Sequence, residues 1–185
     1  MSAFPAAAGA PREVNVTSDS VPGWIPSVEQ SQQAENAAHA YLAAEDSGDA
    51  DAAYKFFAAI NKSHTPFDDY KTNVARTQTE LGAVVERRFV KVTWTKDSPN
   101  APMPGIYAAI DIASRFANAE RHCGYLILYQ PDTGGDFQIM REESNFIKNS
   151  AFADIAHIKS QAEADAIWAQ LSANCPNYPG TAAAP

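Results

Sequence analysis

Ile106-Tyr107-Ala108-Ala109-Ile110-Asp111-Ile112-Ala113-Ser114-Arg115-Phe116-Ala117-Asn118-Ala119-Glu120-Arg121-His122-Cys123-Gly124-Tyr125-Leu126-Ile127-Leu128-Tyr129-Gln130 decides how this chain folds. Apolar and polar residues alternate on both sides of Asn118, the period of two β-strands joined by a turn. A two-residue turn at Asn118-Ala119 would pair Ile112 with Tyr125, Ile110 with Ile127 and Ala108 with Tyr129 on a core face. Asp111 would then face Leu126, and Ala109 Leu128, on an outer face. An outer face with two leucines wants cover, from the C-terminal helix or from a second copy of the chain. A homodimer through that outer sheet face is the expectation.

Two more strands flank this pair. Val84 to Thr95 is rich in β-branched residues, with Val90, Val92 and Trp94 pointing one way, and Phe137 to Phe146 follows a Gly-rich loop. Upstream the period changes to that of helices. Ser27-Val28-Glu29-Gln30 has capping-box spacing before Ala34, Ala37, Ala38, Tyr41 and Leu42, and Gly48 closes that helix. Asp49 starts a second, with Ala53, Phe56, Phe57 and Ile60 along its apolar stripe. Thr65 as N-cap and Pro66 as first helical residue start a third, closed by Gly82. The spacing predicts a last helical region over 150–174, with a break near Lys159 and a restart at Ser160. Helices followed by a meander is an α+β order. The expected fold is three N-terminal helices packed on a curved antiparallel four-strand sheet, plus a C-terminal helix. That arrangement resembles the cone-like fold of the nuclear-transport-factor-2 superfamily. Residues 1–26, with four prolines and no apolar period, read as a flexible arm, 27–175 as a single domain and 176–185 as a tail.

The 185 residues suffice for one domain with a sizeable core. A net charge of −8 repels phosphate backbones and anionic lipid, which argues against nucleic-acid or membrane-surface partners. No apolar run is long enough to span a bilayer, and the first residues have neither the basic nor the apolar part of a signal peptide. A periplasmic or secreted chain lacking its signal peptide fits that start, and so does a cytoplasmic one.

Tyr41-Leu42, Asp46-Ser47-Gly48-Asp49 and Ala53-Tyr54, then Leu81-Gly82 and Arg87-Arg88, are short motifs that resemble those of a bacterial family known as domain of unknown function 4019. Pro104-Gly105-Ile106-Tyr107 and Phe116-Ala117-Asn118 with Glu120 continue in that family's order. The resemblance covers about residues 30–146. It implies a small secreted or envelope-associated protein with a helix-then-sheet pattern, and it implies no activity. The chain departs from the pattern at Cys123-Gly124-Tyr125-Leu126 and Phe137-Gln138-Ile139, and adds the helix after residue 150.

No motif marks a catalytic centre. The four histidines, His39, His64, His122 and His157, lack metal-ligand spacing, and no metal or cofactor is expected. Asp111 with Tyr107 is the one weak catalytic candidate, an acid and a phenol of the kind some members of the superfamily use to isomerise steroids. Its predicted outer-face position beside Arg115 favours a solvated ion pair instead. Tyr54, Trp94, Tyr125 and Tyr129 would converge between helices and sheet, either lining a small-molecule pocket or filling the core. Glu142-Glu143 are neighbours on a strand and so point to opposite faces, which rules them out as a paired acid and base. Cys123 and Cys175 are a candidate disulfide that would pin the last helix to the sheet, against two buried free thiols in a reducing compartment.

Three functions follow as expectations. The first is a non-catalytic envelope or secreted domain acting through protein interaction or self-association. The second is a carrier or sensor of a small apolar molecule in an aromatic-lined cone, and the third an isomerase- or dehydratase-like enzyme. An open, polar-tipped space between helices and sheet favours the carrier, and a filled one the interaction module.

Overall fold

Ser27 sets where the first helix begins. Its hydroxyl accepts the Gln30 N–H at 3.0 Å, and Gln30 Oε1 accepts the Ser27 N–H at 2.9 Å, so two otherwise unpaired donors are satisfied. Gly48 ends the helix at φ 76°, a left-handed conformation that a β-carbon would strain. The computed structural model describes residues 14–175. Its elements run β1 (Asn15–Val16), α1 (Val28–Ser47), α2 (Ala50–Lys55), α3 (Ala59–His64), α4 (Phe67–Leu81), β2 (Val84–Lys96), β3 (Ile106–Phe116), β4 (Ala119–Gln130), β5 (Gln138–Ile147), α5 (Asn149–Ile158) and α6 (Gln161–Ser172).

The architecture is α+β, with one sheet in the order β1-β2-β3-β4-β5. β2 to β5 form an antiparallel meander, and β1 adds to the edge of β2 in parallel. The expected counts of three leading helices and four strands therefore rise to four and five. The added strand comes from the segment read as a flexible arm. Thr17 N–H donates to the Trp94 carbonyl at 2.9 Å and Val21 N–H to the Lys96 carbonyl at 3.0 Å, so the β2 edge orders this stretch. Residues 1–13 and the tail 176–185 lie outside the described residues.

The expected second helix splits in two because its middle joins the sheet. Ile139 N–H donates to the Phe56 carbonyl at 2.7 Å and Ala58 N–H to the Ile139 carbonyl at 3.0 Å. Those backbone groups are lost to a helical ladder, and α2 stops at Lys55. The fourth helix starts at Phe67, so Pro66, not Thr65, is the N-cap.

The β3–β4 register differs by one residue from the expected one. The turn residues are Ala117-Asn118, and Ile110 pairs with Leu126, Ile112 with Gly124, Ala108 with Leu128 and Asp111 with Tyr125. Asn118 N–H donates to the Leu81 carbonyl at 2.8 Å and Ala117 N–H to the Ala83 carbonyl at 2.9 Å, anchoring the turn to the end of α4. One step of register exchanges every face of β4. Leu126 and Leu128 consequently face the helices and are fully buried, with Trp94, Ile110 and Ile139 beside them. Burying each such side chain is worth about 1.5–3 kcal/mol.

At one end of the opposite face α5 and α6 supply the cover. Ser160 caps α6 by accepting the Glu163 N–H at 3.2 Å, and the break falls at Lys159 as the sequence predicts. Phe152, Trp168 and Ile147 pack around Cys123 and Cys175 there. The two sulfurs are at disulfide distance, 2.01 Å, with Cα atoms 6.0 Å apart.

Candidate functional site

A cavity of about 450 Å³ opens between α1, α4 and the sheet. Leu42, Phe57, Val74, Ile112 and Phe116 give it apolar walls, and Tyr70, Glu45, Glu142, Arg87 and His122 give it polar tips.

Helical spacing delivers the first acid. Ala34, Ala38, Tyr41 and Glu45 recur on one stripe of α1, so Glu45 follows Tyr41 by one turn on the face toward the sheet. Strand alternation delivers the second. Glu142 pairs with Leu126 on the core face, whereas Glu143 pairs with Tyr125 on the other and binds Arg141 there.

Four oxygens meet at this point. Tyr41 Oη lies 2.5 Å from Glu142 Oε2 and 2.8 Å from Glu45 Oε1. Tyr70 Oη donates to the same Glu45 oxygen at 2.8 Å and lies 3.4 Å from the Tyr41 hydroxyl. Tyr41 has one hydroxyl proton for two carboxyl contacts, so a carboxyl proton completes the second. Burial, then the Glu142 charge, pushes the Glu45 carboxyl up to about 8. Burial also raises Glu142. The two carboxyls influence each other's titration, and Glu45 keeps its proton through neutrality. Burial first, then the neighbouring carboxylates, holds the Tyr41 and Tyr70 hydroxyls protonated as donors.

Beside this cluster Arg87 of β2 forks onto Asp46 of α1, Nη1 to Oδ2 at 2.5 Å and Nη2 to Oδ1 at 3.0 Å. Its Nε donates to Ser114 Oγ at 3.3 Å. The planar fork fixes the end of α1 against the sheet. Farther along β4, His122 is only 8% exposed and sits edge-on to Phe116 with ring centroids 4.9 Å apart. Burial, then the Arg87 charge, lowers its imidazole to about 4, so it is neutral, and its Nδ1 has no partner among the described residues.

The residues singled out in the sequence lie elsewhere. Tyr54 and Trp94 are on the helix side of the sheet and Tyr125 and Tyr129 on the opposite side, so the four do not converge; of them only Tyr125 borders the cavity. Tyr54 donates to the Thr65 carbonyl at 2.8 Å and Tyr129 to the Pro104 carbonyl at 2.9 Å, as packed tyrosines do. Asp111 is buried, at 4% exposure, on the side away from the cavity. The Tyr107 hydroxyl donates to the Met103 carbonyl at 2.8 Å, and Arg115 binds Glu86 at 3.1 Å instead of Asp111. No group of three or more potential metal ligands gathers among the described residues.

Sequence reasoning missed Glu45, Glu142, Tyr70 and His122 as site residues. Tyr41, Asp46 and Arg87 did stand in the short motifs, without a role. Spacing alone carried a signal for Glu45, an acid one turn after a buried tyrosine on an otherwise apolar stripe. None of the described helices is long and apolar enough to cross a membrane.

No curated protein and no solved structure matches the chain. Residues 37–141, more than half of it, match the model of one family, and that span holds every cavity group named above except Glu142, one residue beyond its end. The chain belongs to that family, described as protein of unknown function (DUF4019).

Proposed function

We propose that the protein binds a small molecule in the cavity between its helices and its sheet, as a carrier or sensor. The observation that carries this reading is the cavity itself, about 450 Å³ with apolar walls and a few convergent polar groups. Small-molecule sites have that size and that mixture. The order of helices before a meander, similar to nuclear-transport-factor-2-like folds, adds the analogy of a cone with a ligand inside it. Self-association through the outer sheet face has lost its motive, because Leu126 and Leu128 point toward the helices. A periplasmic or secreted location belongs to the same proposal, supported by a cysteine pair at disulfide distance, which oxidising compartments preserve.

Fluorescence of N-phenyl-1-naphthylamine, a neutral apolar dye, tests the reading. Saturation at one dye per chain is expected, with loss in Thr77→Trp, which places an indole at the cavity from an exposed position. No saturable signal from the folded protein, or equal binding by Thr77→Trp, contradicts it.

A further inference from the structure

The cavity does not stay on one face of the sheet. Arg141, Glu142, Glu143 and Ser144 are consecutive on β5, and all four line it and keep surface open to solvent. Successive side chains of a strand point to opposite faces, so a space that reaches four in a row passes around the strand's rim. Tyr125, opposite Glu143 on the outer face, borders the same space. β5 is the last strand of the sheet, and the backbone of residues 141–144 bonds no described segment other than β4. Its outward N–H and C=O groups are therefore open where the cavity meets solvent. Such a rim is a template for a further strand.

The fold itself shows how this rim takes a strand. Two residues before Arg141, Ile139 N–H donates to the Phe56 carbonyl at 2.7 Å and Ala58 N–H to the Ile139 carbonyl at 3.0 Å. Phe57, between them, runs parallel to β5 as an isolated bridge and lines the cavity. After Ala58 the chain turns away into α3, and the rim from Arg141 onward is left. Asn73 and Thr77, exposed and one turn apart on α4, form the facing lip, with Val74 buried in the wall behind them.

We infer that the rim of β5 takes an extended peptide segment of a partner protein, which adds as a strand beside residues 141–144 and puts one large apolar side chain into the cavity. In strand addition of this kind main-chain bonds supply affinity, and a pocket for a side chain supplies selectivity. Phe57, Val74, Ile112 and Phe116 are the walls that the side chain meets. The segment carries no acid, because the protein's net charge is −8 and Glu142 lies on the cavity side of the rim. Arg141 and Glu143 bind each other on the outer face, which leaves the rim's backbone groups open. A second copy of β5 fits less well, since antiparallel pairing centred on Glu142 or Glu143 sets that glutamate against its own copy. The inference goes beyond the small-molecule reading and shares only its cavity.

Fluorescence anisotropy of the full chain with a labelled heptapeptide, Lys-Thr-Thr-Phe-Thr-Thr-Lys, tests it. Saturable binding at one peptide per chain is expected, and the peptide should displace N-phenyl-1-naphthylamine. Alanine in place of the central phenylalanine should weaken binding tenfold or more. N-methylating one alternate set of peptide residues should do the same and the other set far less, since only one set faces β5. Exchanging both lysines for glutamate should weaken binding as well. The protein is identical in every titration, so a loss is no failure to fold. No saturable binding up to about 1 mM overturns the inference. Alanine or N-methylated peptides that bind as well as the parent overturn it, and so does a bound peptide that leaves the dye in place. A dimer in sedimentation that the peptide leaves intact gives the rim to a second copy and overturns it too. In each of these cases saturable dye binding keeps the small-molecule reading, whereas failure of the dye alone removes that reading and not the peptide.

Discussion

The Tyr41 hydroxyl of α1 sits 2.5 Å from Glu142 Oε2 of β5, a contact between residues 101 apart in the chain. It ties the first long helix to the last strand and brings two carboxyls together at the cavity. Two like charges so close would repel, and a shared proton with two tyrosine donors relieves that repulsion.

Removing the bridge should be expensive. Tyr41→Phe keeps the packing and deletes the one hydroxyl that reaches both acids, so about 1–3 kcal/mol of stability is lost. Tyr70→Phe deletes a donor to Glu45 alone and should cost less. Urea unfolding of the two variants measures the order.

Stability should fall with rising pH through the neutral range. The Glu45 carboxyl is raised from 4.5 to about 8, so between those values the folded chain holds a proton the unfolded chain has lost, and stability declines as pH rises. The His122 imidazole is lowered from 6.5 to about 4, so there the unfolded chain holds the extra proton, and stability increases as pH rises. The two oppose each other below 6.5, and above it the raised carboxyls act without that opposition up to about 8. Glu45→Gln should remove the decline and His122→Gln the acid-side rise, in unfolding free energies measured across that range.

The fork of Arg87 on Asp46 is the next test. Arg87→Met leaves a half-buried carboxylate without its partner, and about 1–3 kcal/mol should be lost. Arg87→Lys keeps the charge and loses the two-pronged geometry, so it should recover only part of that. Chemical denaturation of the pair checks the ranking.

Gly124 lies where β4 and β5 approach closely on the cavity floor. A β-carbon there would stand 2.2 Å from the Glu143 carbonyl oxygen and 3.0 Å from Ser144 Cα, backbone atoms that cannot move aside. Gly124→Ala should cost about 3 kcal/mol, the upper end of overpacking. A midpoint within experimental error of the natural sequence would contradict this close approach.

The cysteine pair closes a separation of 52 residues, for which loop-closure entropy gives about 4 kcal/mol. Denatured, unreduced protein should show no reactive thiol, and Cys123→Ala should lower the unfolding free energy toward that amount.

Much of this architecture was legible because local chemistry announced it. Ser27 with Gln30, Gly48, Ser160 and the alternation of residues 106–130 each set an element by a short-range rule. What escaped depended on contacts between distant segments. Phe56–Ala58 left the helix for Ile139, Asn15–Val16 found the edge of β2, and the turn at Ala117-Asn118 was fixed by α4. That last difference of one residue turned Tyr125 and Tyr129 to the face opposite the helices and Leu126 and Leu128 toward the helices. Glu142 was visible as a core-facing residue only once its pairing with Leu126 was known. Periodicity finds the walls of a site, and register decides which side chains enter it.

Carbon-13 NMR of selectively labelled glutamate carboxyls, followed through a pH titration, bears most directly on the shared proton. Two resonances titrating together, with Glu45 near a midpoint of about 8 and both perturbed in Tyr41→Phe, are the predicted result. Every glutamate titrating near the ordinary value of 4.5 would contradict it.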